Sequence, residues 1–309
     1  MKATTELNEY INADVLNYII NNHNVYNLED MHCNMLKTIQ KNLKYDEEKQ
    51  MYYHKVMYHK KTGLYGRWSA IGSNLQTLPK RIRNVLIKNI CLDIDMVSAA
   101  YSIILSVYNN QTYDDDMEQV EDYIENREDW LERVMEHYNV DRKVAKNLFT
   151  IVPNCKGNPL NVWKYENNIK QDDDDENIVS FVEDLKDEIN EFFDDMKSEW
   201  RYAETTSRWI HEIESQILGK IEWYLNENGM YFNTYIQDGG LVLMNDKLND
   251  TFCKELTEFI QKEYDNVKII IKSFTDALEI PNDIPKYEYM PFHQQDIYTN
   301  CLDCSNQSI

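Results

Sequence analysis

The 309-residue chain is poor in several residue types, and each shortage excludes a class of protein. With 8 Gly and 6 Pro it is neither collagen-like nor a Pro/Gly low-complexity protein. Its 6 Cys are too dilute for a disulfide framework. Cys301 and Cys304 form a Cys-x-x-Cys pair, but the second pair typical of a zinc site is missing. Reduced thiols and an intracellular protein are therefore the favoured interpretation, and a zinc site is the weaker one.

Long hydrophobic runs are also missing. The longest apolar stretch, Val97–Val107, is about half of what a bilayer span requires, and residues 1–6 contain no apolar signal core. Hydrophobic residues nevertheless make up 42% of the chain, which is enough to build a core. We expect a soluble protein without membrane association.

Basic residues are scarce relative to acidic ones, with 32 Lys and Arg against 54 Asp and Glu and a net charge of -22. The acidic excess is concentrated in two segments, Tyr113–Glu136 and Asp172–Glu199, whereas basic residues outnumber acidic ones in residues 1–90. Such segments are usually solvated helical faces or insertions. A basic groove that binds nucleic acid could therefore exist elsewhere in the chain.

Hydrophobic periodicity predicts both helices and strands. Apolar residues recur at helical spacing over Leu7–Ile20 and Met31–Leu43, which predicts that the first sixty residues form a small helical unit. In Ile90–Val97 the period is two, so Leu92, Ile94 and Met96 share one strand face, and Asp93, Asp95 and Val97 share the other. A buried helix is expected to follow from Ser98 to Val107.

Three further local patterns place charged residues. Asp141 is a plausible N-cap for a helix that presents Arg142 and Lys146 on one face. Two predicted strands, Met230–Gln237 and Leu241–Met244, flank Asp238-Gly239-Gly240, which is typical of a hairpin turn. Asp238 is therefore expected at a hairpin tip and Asp95 at an exposed strand end.

These residues suit nucleotidyl transfer. That reaction uses two divalent cations held by carboxylates, which Asp95 and Asp238 could supply. It also needs basic groups for the triphosphate, and Arg142 with Lys146 are donors of the right type.

A longer segment before Asp95 strengthens this interpretation. Gly66-Arg67-Trp68-Ser69, Asn74-Leu75-Gln76-Thr77-Leu78-Pro79 and Ile82-Arg83 resemble the signature that precedes the first catalytic Asp of family A DNA polymerases, the polymerase I type. In the same order, Asp95 is similar to motif A, Arg142-x-x-x-Lys146 to motif B and Gln237-Asp238 to motif C. The resemblance runs from about Gly66 to Leu243.

The resemblance implies a role for each matching position. Asp95 and Asp238 would coordinate two Mg²⁺ ions with help from the Met96 backbone carbonyl, and Arg142 and Lys146 would bind the deoxynucleoside triphosphate. The residues expected at the primer–template are Arg67, Asn74, Gln76 and, as the minor-groove glutamine, Gln216.

The chain departs from the family at several of these motifs. Ala100 stands where a Glu normally excludes the ribose 2′-hydroxyl, so sugar discrimination is either relaxed or maintained by Tyr101. Gly239 replaces the second carboxylate of motif C; Asp93 either offsets that loss as a metal ligand or is a solvated or Lys-paired carboxylate. In motif B, Pro153 is expected to end the helix and Asn154 replaces the Tyr behind the templating base, which predicts poor base selection.

The expected fold is α+β and mostly helical: a right-hand polymerase with an antiparallel palm sheet over residues 61–309, helical fingers inserted at about 109–210 and a short thumb-like unit at 1–60. Such a reduced form resembles the polymerases of large DNA viruses or mobile elements, without proofreading and with low processivity unless a replication partner assists. RNA remains an alternative template. Two other interpretations are a degenerate polymerase-like protein that binds nucleic acid or a replication partner, and an acidic scaffold with accidental motif matches.

Overall fold

A computed structural model describes residues 4–62, 65–111, 117–171, 173–196 and 206–287. The protein has an α+β fold, about half helical, with antiparallel sheets. The strands are β1 (Thr4–Ile11), β2 (Lys44–Asp46), β3 (Met51–Thr62), β4 (Tyr65–Ala70), β5 (Cys91–Met96), β6 (Phe232–Ile236), β7 (Gly239–Leu243) and β8 (Ile269–Lys272). The helices are α1 (Ala13–Asn21), α2 (Asp30–Lys41), α3 (Lys80–Ile87), α4 (Ala99–Asn109), α5 (Glu118–Glu125), α6 (Arg127–Tyr138), α7 (Arg142–Ile151), α8 (Pro159–Glu166), α9 (Glu176–Met196), α10 (Thr206–Glu227) and α11 (Asp250–Ile260).

The chain divides into two compact units. The first consists of Met1–Leu7, Val56–Ile71 and Cys91–Ser273, and the second of Asn8–Lys55, Gly72–Ile90 and Phe274–Ile309. Neither unit is a continuous segment, and two of the boundaries fall within strands β1 and β3.

The first unit contains an antiparallel sheet with strand order β6-β7-β5-β8. In its central strand β5, Ile94 and Met96 are buried in the core while Asp93 and Asp95 are only partly buried. This alternation confirms the strand and the division of its faces that the sequence predicted. The helix after β5 also forms, as α4.

Helices α4 to α11 supply the rest of the core of the first unit. Its largest fully buried side chains include Trp163 and Trp209, and the Trp163 indole donates a 2.7 Å hydrogen bond to the Val144 carbonyl. Side chains of this size contribute about 1.5–3 kcal/mol each through apolar burial. The helices that follow β5 therefore share one core with the strands of the first unit.

In the second unit, apolar side chains of α1, α2 and α3 are buried, including Leu16, Leu36 and Ile82. The fully buried Glu9 carboxylate accepts hydrogen bonds from His54 Nε2 at 3.2 Å and from the Leu75 backbone amide at 2.8 Å. A buried carboxylate requires such partners, because leaving it unpaired would cost several kcal/mol.

The helical interpretation of residues 1–60 is wrong in part. Residues Thr4–Ile11 form a strand, and α1 begins only at Ala13, where Asn12 caps it by accepting from the Val15 amide at 3.1 Å. The long strand β3 was missed although it contains three Tyr, a residue that favours strands.

Some predicted features lie outside the described residues, namely the Asp114–Asp116 acidic run, Trp200, Cys301, Cys304 and the polar end from Gln294 to Ile309. Within the described ranges, none of the helices combines the length and the hydrophobicity that crossing a bilayer requires.

Candidate active site

A two-residue turn, Gln237-Asp238, joins β6 to β7. Gln237 adopts a left-handed backbone conformation with φ of 47°, which matches the twist of a tight hairpin. The prediction of Asp238 at a hairpin tip is confirmed, but the predicted Asp-Gly turn is wrong by one residue. Gly239 and Gly240 belong to strand β7 and contribute close packing rather than the turn itself.

Gly239 lies directly against β5, where it is the register partner of Asp95. A Cβ at position 239 would lie 2.2 Å from the Ile94 carbonyl oxygen and 2.9 Å from the Asp95 Cα. It would also lie 3.0 Å from Asp95 Oδ1, so the Asp95 carboxylate is beside the residue that follows Asp238. Position 239 therefore has no room for a side chain.

The chain turns sharply from β5 into α4 at Ser98, whose φ of 48° and ψ of 41° are left-handed. Its buried hydroxyl has no hydrogen-bond partner among the described residues. Non-glycine residues in this conformation are uncommon and cluster at functional sites. The turn leaves Asp95 at the strand end and places Ala100 in the first turn of α4.

A cavity of about 340 Å³ in the first unit brings together residues from sheet and helices, a size suited to a small-molecule ligand. Six of the residues predicted from the sequence line it: Arg67, Asp95, Met96, Ala100, Lys146 and Asp238. They come from β4, β5, α4, α7 and the β6–β7 turn. Asn154, which follows α7, is also in the lining, and α7 ends at Ile151 before Pro153, as predicted.

The other predicted residues lie elsewhere among the described residues. Asp93 faces Lys272 across the β5–β8 pair. Gln216 on α10 donates to Glu212 at 3.4 Å and accepts from the Tyr264 hydroxyl at 3.3 Å. None of Asp93, Gln216 and Arg142 is among the described residues that line the cavity.

Asn74 and Gln76 belong to the second unit. Asn74 is buried and its side chain closes the local turn, because its amide donates to the Gly72 carbonyl at 2.6 Å and its Oδ1 accepts from the Thr77 amide at 2.9 Å. Gln76 is half-buried, and its carbonyl oxygen is 3.5 Å from an Arg83 guanidinium nitrogen.

Arg67 is held by a buried carboxylate on α10. Its guanidinium donates to the two Glu214 oxygens at 2.6 and 2.8 Å, a bidentate arrangement that fixes the arginine at the cavity wall. Burial raises the pKa of Glu214 and the nearby Arg67 charge opposes that increase. Burial likewise raises the pKa of Asp238, while the Arg67 and Lys146 charges favour its ionised form.

Replacing Arg67 with Leu should destabilise the protein more at pH 8 than at pH 5. Without Arg67 the pKa of Glu214 rises further, so the folded state binds more protons than the unfolded state above the ordinary carboxyl value. The unfolding free energy therefore falls as pH rises through that window, and the loss should reach about 3 kcal/mol at pH 8. Urea denaturation at the two pH values measures this difference.

Arg142→Leu is the matched control. Arg142 also pairs with a glutamate, Glu128, but 51% of its side chain and 67% of its partner's are exposed. Pairs of this kind contribute about 0–1 kcal/mol. Equal losses at both pH values for Arg67→Leu would contradict a role for buried Glu214 ionisation.

Lys272 and His211 also line the cavity, although the predicted site did not include them. Lys272, at the end of β8, forms an ion pair with Asp95. His211 on α10 has its pKa lowered to about 4 by burial and by the Arg67 charge, so it is neutral at pH 7. The β5–β8 register makes Lys272 the partner of Asp93, on the same sheet face as Asp93 and Asp95, and periodicity within β8 alone does not specify that register.

The Tyr101 ring occupies the wall next to Ala100. Its hydroxyl donates to the Phe149 carbonyl at 2.5 Å, and its ring centroid is 4.4 Å from that of Tyr123. Tyr101 is therefore a fixed part of the lining, while Ala100 presents only a methyl group.

Two of the side chains that line the cavity, Asp95 and Asp238, are carboxylates of the kind that Mg²⁺ prefers as ligands. Among the described residues, no three His, Cys, Asp or Glu side chains group so as to hold a metal ion. Mg²⁺ is commonly bound by one or two carboxylates and completes its coordination with water and substrate phosphates. Asp95 and Asp238 supply that number of carboxylates to the cavity.

No model of a known protein family matches the sequence, and no curated protein is significantly similar to it.

Proposed function

We propose that this chain is a template-directed nucleotidyltransferase that extends a primer on nucleic acid, with DNA polymerase activity as its main reaction. The observation that carries the proposal is that Asp95, Asp238 and Lys146, which are far apart in the sequence, line one cavity. Carboxylates beside basic groups are what phosphoryl and nucleotidyl transfer require.

The residues divide the work. Asp95 and Asp238, with the Met96 carbonyl, would hold two Mg²⁺ ions, which when bound supply an activated 3′-oxygen and neutralise phosphate charge. Lys146 binds the incoming triphosphate, and Arg67, fixed by Glu214, contacts the primer–template beside the new base pair. Contact of Gln76 with the primer–template stays a prediction, whereas the Asn74 side chain is fully buried and closes its local turn.

The finer architecture belongs to the same proposal. The sheet β6-β7-β5-β8 is the palm, and helices within about 109–210 are the fingers, because the cavity lies where both contribute side chains. The thumb assigned to residues 1–60, a replication partner and the intracellular compartment stay predictions.

Primer extension by the purified full-length chain with Mg²⁺ tests the function. We expect incorporation of deoxynucleotides on a DNA template, and RNA templates and ribonucleotides are tested in parallel. Because Ala100 leaves space where a larger side chain would exclude a 2′-hydroxyl, ribonucleotides should be incorporated within about 100-fold of deoxynucleotides. Discrimination of several thousand-fold would instead favour the fixed Tyr101 ring as the gate.

A second candidate is a polymerase-like protein that binds primer–template without catalysis. The Lys272–Asp95 ion pair favours it, because the ammonium group neutralises one of the two carboxylates. The absence of space for a second acid at Gly239 points the same way. Binding of primer–template without incorporation in Mg²⁺ or Mn²⁺ would support this alternative.

A further inference from the structure

Arg127, the first residue of α6, lines the cavity together with Lys146, although no sequence motif indicates it. Its Nε is buried and has no hydrogen-bond partner among the described residues. Burying a guanidinium nitrogen without a partner is unfavourable, so such an atom at a cavity wall indicates a missing acceptor.

Arg142, which the motif spacing indicates as the phosphate-binding arginine, is engaged elsewhere. Its two terminal nitrogens lie 2.8 Å from the two Glu128 oxygens, and half of its side chain is exposed. It is not one of the described residues in the cavity lining. A bidentate pair with Glu128 leaves it poorly placed to bind a ligand in the cavity.

The surroundings hold Arg127 in place. Burial raises the pKa of Tyr123, and a hydrogen bond from Arg127 together with its charge opposes that increase. The Tyr123 ring packs against Tyr101 and Phe149, with centroids 4.4 and 4.6 Å away. Arg127 therefore interacts with a tyrosine that is itself fixed by packing, which reduces the entropy lost when Arg127 binds a ligand.

Charge indicates what the missing acceptor is. Four basic side chains line the cavity, namely Arg67, Arg127, Lys146 and Lys272. Arg67 pairs with Glu214 and Lys272 with Asp95, whereas no carboxylate among the described residues pairs with Arg127. An anion with several oxygens satisfies a planar guanidinium best.

We propose that Arg127, rather than Arg142, acts beside Lys146 to bind the phosphates of the incoming nucleoside triphosphate. This assignment rests on the proposed function, because it gives that function its second phosphate-binding cation. It makes Arg127 a substrate-binding residue and Arg142 a surface residue that links α7 to Glu128.

Titration of the full-length protein with dATP and Mg²⁺ tests the assignment. Arg127→Gln should raise the dATP dissociation constant about 10- to 100-fold, the range expected for loss of a charge-assisted hydrogen-bond pair. Arg142→Gln, the matched control, should change it less than about 3-fold. Inorganic triphosphate should compete in the wild type and lose affinity to the same degree in Arg127→Gln.

Two comparisons keep the test decisive. Arg127→Lys preserves the charge and loses the fork, so an intermediate dissociation constant is expected even if Arg127→Gln folds poorly. Circular dichroism and thermal unfolding report on folding of each variant. The assignment would be overturned if both Arg127 variants bound dATP with the dissociation constant of the wild type, or if binding were weakened in Arg142→Gln instead. Either result would leave the proposed function intact. A wild-type protein that binds no triphosphate and incorporates no nucleotide would overturn both.

Discussion

Replacing either Asp95 or Asp238 with Asn should lower the rate of nucleotide incorporation by at least about 1,000-fold. Asn keeps the volume of the side chain but removes the negative charge that binds a divalent cation. A decrease in rate of about 1,000-fold corresponds to about 4 kcal/mol of lost transition-state stabilisation. Both carboxylates line the same cavity, because Asp238 in the β6–β7 turn directly precedes Gly239, the register partner of Asp95. Single-turnover primer extension with saturating Mg²⁺ gives the rates.

The double variant should be scarcely slower than either single variant, because groups that act as one unit give strongly non-additive losses. Asp246→Asn is the control, since this exposed aspartate follows β7 and is not among the described cavity residues. It should keep the wild-type rate. An Asp95 or Asp238 variant that retains a tenth of that rate would exclude the carboxylate pair as the catalytic centre.

The unfolding free energy of each aspartate variant shows whether its rate falls because catalysis is lost or because the protein unfolds. Because burial raises the pKa of Asp238, its ionised form is disfavoured in the folded protein. Asp238→Asn should therefore leave the unfolding free energy at pH 8 unchanged or increase it, a common consequence of removing a functional charge. Asp95→Asn instead weakens the ion pair with Lys272, so a small decrease is expected there.

The parts of this site that the sequence predicted depend on local patterns. About ten residues are enough to specify each of three features: the alternation in β5, the Asp141 cap and the hairpin around Asp238. The cap forms as predicted, because Asp141 accepts from the Val144 amide at 2.9 Å. The sequence did not specify which two residues form the turn. Gln237 takes a left-handed conformation there, and Gly239 belongs to β7 instead.

The parts that were missed depend on long-range pairing. Apolar residues in Thr4–Ile11 fit both helical and strand spacing, and tertiary context determined the outcome. Lys272 reaches Asp95 only because β8 pairs with β5 in one particular register. Arg127 enters the cavity through the packing of α5, α6 and α7, which hydrophobic periodicity does not specify.

The last prediction concerns Gly239, where Ala should destabilise the protein by about 3 kcal/mol, the upper end of the range for overpacking. The atoms that a Cβ would meet, the Ile94 carbonyl oxygen at 2.2 Å and the Asp95 Cα at 2.9 Å, are backbone atoms of the central strand and have little freedom to move. Relief requires β7 to move away from β5, which would separate Asp238 from Asp95. The incorporation rate should therefore fall as well, and chemical denaturation with single-turnover kinetics measures both effects.

Gly219→Ala is the matched control and should have the opposite sign. Gly219 is exposed within α10, and a Cβ there meets nothing within 4 Å among the described residues. Alanine should raise the unfolding free energy by about 0.5–1 kcal/mol through helix propensity, without altering the rate. If Gly239→Ala were as stable and as active as Gly219→Ala, the close approach of β5 and β7 would not be what holds the two carboxylates together. Because the clash arises at the Cβ itself, Gly239→Glu should lose stability too, rather than add a working carboxylate to the cavity.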